Sequence, residues 1–183
     1  MRKKIFIILL ILFLTFYVSQ NLYQLNLIQG DSMSPTYKNM QFTLIDKRVS
    51  DFQRGDVIVF YSDTLNCTMV KRIIAASGDT VLISDGLVFV NNTPSPYTDS
   101  DITYAGTAAQ TLVVGDNSFF VMGDNHAQSK DSRDAEIGCI PTENIIGRLI
   151  PSRLPRKQKP PSQMNRGSYL CMYNICSDQS PSS

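Results

Sequence analysis

The sequence is poor in the residues that most often hold metal. It has one histidine, His126, and its four cysteines (Cys67, Cys139, Cys171 and Cys176) form no Cys-x-x-Cys pair. A zinc site therefore lacks a ligand set, and neither a metal nor another cofactor is expected. An excess of one charge is missing too, with 17 Lys/Arg against 16 Asp/Glu. A uniformly basic nucleic-acid-binding domain is thereby excluded, and no nucleic-acid partner is expected. Beyond residue 28 no segment shows a long, strong 3.6-residue apolar period, and there is no internal repeat.

What is present is unevenly spread. Arg2, Lys3 and Lys4 carry +3, residues 5–147 hold 8 Lys/Arg against 15 Asp/Glu, and residues 148–183 hold 6 against 1. The 43% hydrophobic content supports a packed core and rules out wholesale disorder, and 183 residues suit one domain with attachments. Much of the hydrophobicity sits in the first 28 residues, so a uniform soluble globule does not fit.

The N-terminal run admits three readings. Its densest part, Ile5–Val18, would span only ~21 Å as a helix, short of the ~30 Å hydrocarbon core. Extended to Ile28 it reaches ~36 Å, with Ser19, Gln20, Asn21 and Gln24 near the far interface. A cleaved signal peptide wants small residues at −3 and −1, and no good small-x-small pair follows the run. A buried soluble helix would not be apolar on all faces behind three cations. An uncleaved signal-anchor over residues 5–28 fits best. It places residues 1–4 in the cytoplasm and the rest outside, as a single-pass protein of the cell membrane.

Residues 38–150 read mainly as β. Phe42–Ile45, Val57–Tyr61, Met69–Ala76 and Phe119–Met122 are apolar or β-branched runs. Thr80–Ile83 and Leu87–Val90 flank Ser84-Asp85-Gly86, a hairpin signal. Residues 91–118 read as an irregular excursion. From Pro151 four prolines interleave with Arg153, Arg156, Lys157 and Lys159. This extended tail over residues 151–183 is either simply solvated or in contact with anionic lipid. An external location permits a Cys171–Cys176 disulfide, and free thiols are the alternative.

Three stretches carry candidate chemistry. Gly30-Asp31-Ser32-Met33-Ser34-Pro35-Thr36 is an ordinary loop or a turn that exposes the Ser32 hydroxyl. A serine nucleophile needs a base. His126 lies in a polar stretch that reads as surface loop. Lys71 shares a strand face with Met69 and Ile73, an apolar setting that lowers a lysine pKa. It also reads as an edge-strand lysine that limits aggregation. The third stretch, Gly123 through Arg133, follows an apolar strand and reads as a capped loop, with Asp131 and Arg133 able to pair.

The order of these pieces resembles one family. The anchor is followed by Gly30–Thr36, Arg54-Gly55-Asp56-Val57-Ile58-Val59-Phe60, Val70-Lys71-Arg72-Ile73-Ile74 with Gly78-Asp79, and Gly123-Asp124-Asn125 through Ser129 and Asp131-Ser132-Arg133. Over residues 1–150 the chain resembles the type I signal peptidases of bacteria (peptidase family S26), membrane-bound Ser/Lys proteases, in their short Gram-positive form. The resemblance implies a mainly β fold, a coiled antiparallel β-sheet catalytic domain over residues 29–150 preceded by one transmembrane helix. It implies Ser32 as nucleophile, Lys71 as general base, Ser129 as the lysine-orienting hydroxyl, and Asp131 and Arg133 as the supporting pair. Met33 matches a residue packed beside the nucleophile. The implied oxyanion donor is the Ser32 backbone N–H, with Gly30 second; Gly30 brings no side-chain hydroxyl. The implied partners are preprotein signal peptides, bound as extended strands with small residues at −1 and −3, and membrane lipid. Ala75-Ala76-Ser77 departs from the Gly-Leu-Pro usual before Gly-Asp, and Asn91-Asn92 stands where Asn-Gly is common. The tail after residue 150 has no counterpart. The alternatives are a specialised relative with a narrow substrate set, such as pilus subunits, and a silent scaffold of the same fold.

Overall fold

The computed structural model describes residues 2–98 and 101–150. Helix α1 runs Arg2–Leu22, and the large apolar side chains from Ile5 to Tyr17 are exposed. Among the described residues no helix is long and apolar enough to cross a membrane. The helix is also shorter than the 5–28 span expected. Tyr23–Leu27 forms strand β1, paired antiparallel with β2 (Phe42–Asp46) from Tyr23↔Asp46 to Leu27↔Phe42. The ladder with β2 fixes these five residues as extended backbone, and their own apolar content does not prevent it.

The remaining strands are β3 (Val57–Ser62), β4 (Cys67–Ala76), β5 (Thr80–Ser84), β6 (Leu87–Val90), β7 (Thr93–Pro94), β8 (Leu112–Val113), β9 (Ser118–Met122), β10 (Ile140–Pro141) and β11 (Ile145–Leu149). They form a seven-stranded sheet ordered β1-β2-β11-β3-β4-β9-β10 and a four-stranded sheet ordered β7-β6-β5-β8. Every neighbouring pair is antiparallel. The mainly β reading therefore holds. The β5–β6 hairpin closes where expected, with Ser84 opposite Leu87 and both Asp85 and Gly86 at positive φ, as a two-residue turn requires.

Three apolar clusters hold the domain. Ile74, Val81, Ile83, Val88, Val90, Phe120 and Met122 join the small sheet to strands β4 and β9. Ile58, Phe60, Ile73, Phe119, Val121 and Ile140 form a second cluster, with Met69 against it. Ile28, Met33, Tyr37, Ile45, Val57, Val59 and Leu149 form a third. This last cluster ties the segment after β1 to the middle of the large sheet, and so fixes where residue 32 can lie. Strand β11 enters between β2 and β3 through Gly147, where a Cβ would come 2.5 Å from Asp46 O. Cys67 and Cys139 are free thiols. The 151–183 tail, with Cys171 and Cys176, lies outside the described residues.

Candidate active site

The segment after β1 is a chain of turns pinned by the buried side chains of Ile28, Met33 and Tyr37. Asp31 O accepts from Ser34 N at 3.0 Å, and Met33 O accepts from Tyr37 N at 2.9 Å. Met33 is 1% exposed within the third cluster. With its neighbour so anchored, Ser32 is held half-buried at the domain surface. Gly30 has φ +89° and donates its N–H to Asn39 Oδ1 at 3.0 Å. The Gly30 N–H, named above as a second oxyanion donor, thus has an acceptor of its own here.

Lys71 comes from β4, opposite Ile58 on β3. Met69 and Ile73, two positions to either side, both pack in the second cluster, so the lysine rises from an apolar face. It is 4% exposed, and its Nζ lies 2.8 Å from Ser32 Oγ. Burial holds its pKa below the ordinary lysine value. The Asp131 carboxylate pulls partly the other way, and the Arg133 guanidinium adds to the depression.

The loop after β9 is built around a buried ion pair. Arg133 Nε donates to Asp131 Oδ1 at 2.8 Å and Arg133 Nη2 to Asp131 Oδ2 at 2.9 Å. Both residues are at most 1% exposed. The guanidinium also donates to the carbonyls of Tyr104, His126 and Ser129, and Asp131 Oδ2 accepts from Gly123 N at 3.0 Å. A buried charge pair stabilises only when its remaining valences are filled, and here backbone groups of the loop, with the Tyr104 carbonyl, fill them. The expected Asp131–Arg133 pairing is thus present, and it sets the loop's shape. Thr107 joins through its hydroxyl to Ser132 O at 2.8 Å.

The Ser129 side chain stands apart from the bonded groups of the loop. Its Oγ is buried without a hydrogen-bond partner, so it makes no bond to Lys71 here. It does lie at the site. A Cβ on Gly123 would come 2.2 Å from Ser129 Oγ and 2.5 Å from Ser32 O, so both groups face the gap that glycine leaves.

Two contacts had no sequence reading. Arg72 crosses to the loop and pairs with Asp124, Nε to Oδ1 at 2.8 Å and Nη2 to Oδ2 at 2.6 Å, while its Nη1 donates to Gly55 O at 2.8 Å. Asn125 donates its backbone N–H to Ser32 O at 2.9 Å and its side-chain amide to Asp31 O at 3.2 Å. The available signal was that opposite charges and an amide stood inside stretches already singled out. Nothing in the sequence said which would meet. Among the described residues no three His, Cys, Asp or Glu side chains are grouped to hold a metal ion.

Chemically the arrangement offers a hydroxyl beside an amine with a lowered proton affinity, on an antiparallel sheet. A family model described as "Signal peptidase, peptidase S26" matches residues 1–152. The chain is 33% identical over 153 residues to "Signal peptidase I P" of Bacillus subtilis subsp. natto, covering 76% of this chain and 82% of that protein. It is also 33% identical over 153 residues to "Signal peptidase I U" of Bacillus subtilis strain 168, covering 76% and 80%. A solved signal peptidase I from Enterococcus faecalis V583 is similar at 28% identity with a TM-score of 0.46, covering 55% of this chain and 97% of that one.

Proposed function

Because the chain belongs to the peptidase S26 family of signal peptidases, it is a serine peptidase that removes signal peptides, and we propose that Ser32 is its nucleophile and Lys71 its general base. The observation that carries this reading is the 2.8 Å approach of Lys71 Nζ to Ser32 Oγ from a buried position. A lysine acts as a base only when neutral, and burial favours the neutral form.

The steps then follow. Ser32 Oγ attacks the scissile carbonyl carbon, its proton passes to Lys71 Nζ, and the carbonyl electron pair moves to oxygen. The Ser32 N–H meets that oxyanion; a donor of this kind typically contributes ~3 kcal/mol to transition-state stabilisation. The intermediate collapses as Lys71 returns the proton to the departing amine, leaving an ester on Ser32. Water, deprotonated by Lys71, attacks the ester carbon, the C–Oγ bond breaks as Lys71 returns that proton to Ser32 Oγ, and the signal peptide leaves with a new carboxyl group that ionises in water. No step passes through a metal or cofactor. Ser129 is assigned to orient Lys71. Its unpaired buried hydroxyl supports that role, since such a group costs ~1–3 kcal/mol until it finds a partner. Asp131 and Arg133 support the site by fixing the loop that faces Ser32.

We further propose that preproteins bind as extended strands with small residues at −1 and −3, and that α1 anchors the enzyme in the cell membrane. The exposed apolar side chains of Ile5–Phe16 behind Arg2-Lys3-Lys4 support the anchor, since a helix apolar all round is solvated by lipid better than by water. The N-terminus then faces the cytoplasm and residues 29–150 lie outside, beside emerging signal peptides.

Cleavage of a preprotein by the intact protein, Ser32→Ala and Lys71→Ala tests the dyad. Both variants are expected to lose cleavage to background. A variant that cleaves at the parent rate overturns the assignment.

A further inference from the structure

We propose that Asn125 is a positioning residue that holds the Ser32 N–H in place for the oxyanion; this rests on the reading of Ser32 as nucleophile. Its backbone N–H donates to Ser32 O at 2.9 Å, and its Nδ2 donates to Asp31 O at 3.2 Å. Those two carbonyls belong to the peptide groups on either side of the Ser32 Cα. A peptide group is planar and trans, so fixing the Asp31 oxygen also fixes the direction of the Ser32 N–H at its other end.

The Asp31 carbonyl is held twice. It accepts from Ser34 N at 3.0 Å within the turn and from Asn125 across 94 residues of chain. A carbonyl that accepts two hydrogen bonds polarises its own peptide group and makes the N–H a better donor. Among the described residues that Ser32 N–H donates to no acceptor, which leaves it for an incoming carbonyl. The second Nδ2 hydrogen faces Gln128 Oε1 at 3.4 Å, so the amide presents its nitrogen to Asp31. The clamp stands on a rigid base. Gly123 N is bonded to the buried Asp131 carboxylate, and Gln128 N to Asn125 O at 3.1 Å.

The test is steady-state cleavage by Asn125→Ala, which keeps the backbone bond and removes only the side-chain donor. We expect kcat to fall about tenfold to a hundredfold with KM within about twofold, short of the about 10²–10³ lost with an oxyanion donor itself. A second readout is binding of a peptide aldehyde. There the Oγ–C bond forms, the carbonyl pair moves to oxygen and the hydroxyl proton passes to Lys71. Its affinity is expected to fall in step with kcat, while affinity for the cleaved product peptide stays unchanged. An unchanged kcat, or equal loss of aldehyde and product binding, overturns the proposal. Asn125→Asp keeps the shape but turns the donor into an acceptor. It is expected to lose at least as much, and parent-like turnover in it overturns the proposal even where Asn125→Ala does not fold. Ser32→Ala separates the two failures. If it stays active, the nucleophile assignment fails; if it is inactive while Asn125→Ala is fully active, only the role of Asn125 fails.

Discussion

Lys71 and Arg72 are neighbours on β4, yet the two faces of that strand treat a positive charge in opposite ways. On the Arg72 side the Asp124 carboxylate accepts two hydrogen bonds and Gly55 O a third. On the Lys71 side the bonded partner is a serine hydroxyl, and the Asp131 carboxylate is committed to Arg133 and to Gly123 N–H. Both side chains are largely removed from water, with Lys71 4% exposed as a residue and the Arg72 side chain 18% exposed. What differs is the supply of acceptors. A cation given a fork-shaped partner keeps its charge and ties two elements together. A cation denied one gives up its proton readily and becomes available for chemistry.

The sharpest way to break the contrast is to put an Arg72-like group on the Lys71 face. A guanidinium does not deprotonate in proteins, so Lys71→Arg is expected to cut kcat/KM by about 10²–10⁴-fold in a cleavage assay. In the parent the same logic sets the pH profile. The rate should rise with pH through the lowered Lys71 pKa and then level off, and a rate flat from neutral into acid contradicts a lysine base.

Next in size is the opposite face. Asp124→Ala leaves Arg72 buried without its carboxylate and is expected to cost about 3 kcal/mol in chemical denaturation. Parent-like stability would mean that the pair is replaceable by water.

Smaller, and opposite in sign, is the effect of Lys71→Met. The folded-state pKa of Lys71 lies below the 10.5 of the unfolded chain, so between the two values the unfolded chain binds more protons. The parent should therefore gain stability as pH rises through that window, by at most about 1.4 kcal/mol per pH unit. Below the window the penalty on the parent is full and constant. Lys71→Met should thus be the more stable protein at low pH, with the gap closing towards pH 10.5, as denaturation at several pH values would show. The smallest effect belongs to Lys130, which lies between Ser129 and Asp131 but pairs with Glu136 in solvent, at side-chain exposures of 48% and 65%. Lys130→Ala should leave both Tm and cleavage unchanged.

How legible this was depended on whether a residue's partner was local. Strands β2, β3, β4 and β9 and the Asp85-Gly86 hairpin followed from short-range pattern, because alternation and turn chemistry are local properties. Strand β1 did not, since Leu25 and Leu27 continue the apolar run before them and only pairing with Leu44 and Phe42 makes them extended. Strand β11 did not either, since Gly147 and Arg148 interrupt its apolar residues and Asp46 O, the group that the glycine lets in, lies about a hundred residues away. At the site, Ser32, Lys71 and the Asp131–Arg133 pair came from residue type and order. The bond of Arg72 to Asp124 joins residues 52 positions apart. The unpaired state of Ser129 and the double grip of Asn125 are facts of distance, to which composition and spacing are blind.

Gly30 has a consequence for chemistry outside the genetic code. A Cβ built there meets nothing within 4 Å, while the backbone stands at φ +89°. Room is therefore plentiful, and handedness is what keeps a side chain off that edge of the site. A mirror-image amino acid has the opposite preference. For a D-alanine or D-serine introduced at position 30 by chemical ligation, whose Cβ replaces the other Cα hydrogen, that φ is an unstrained backbone, where for its natural counterpart it is not.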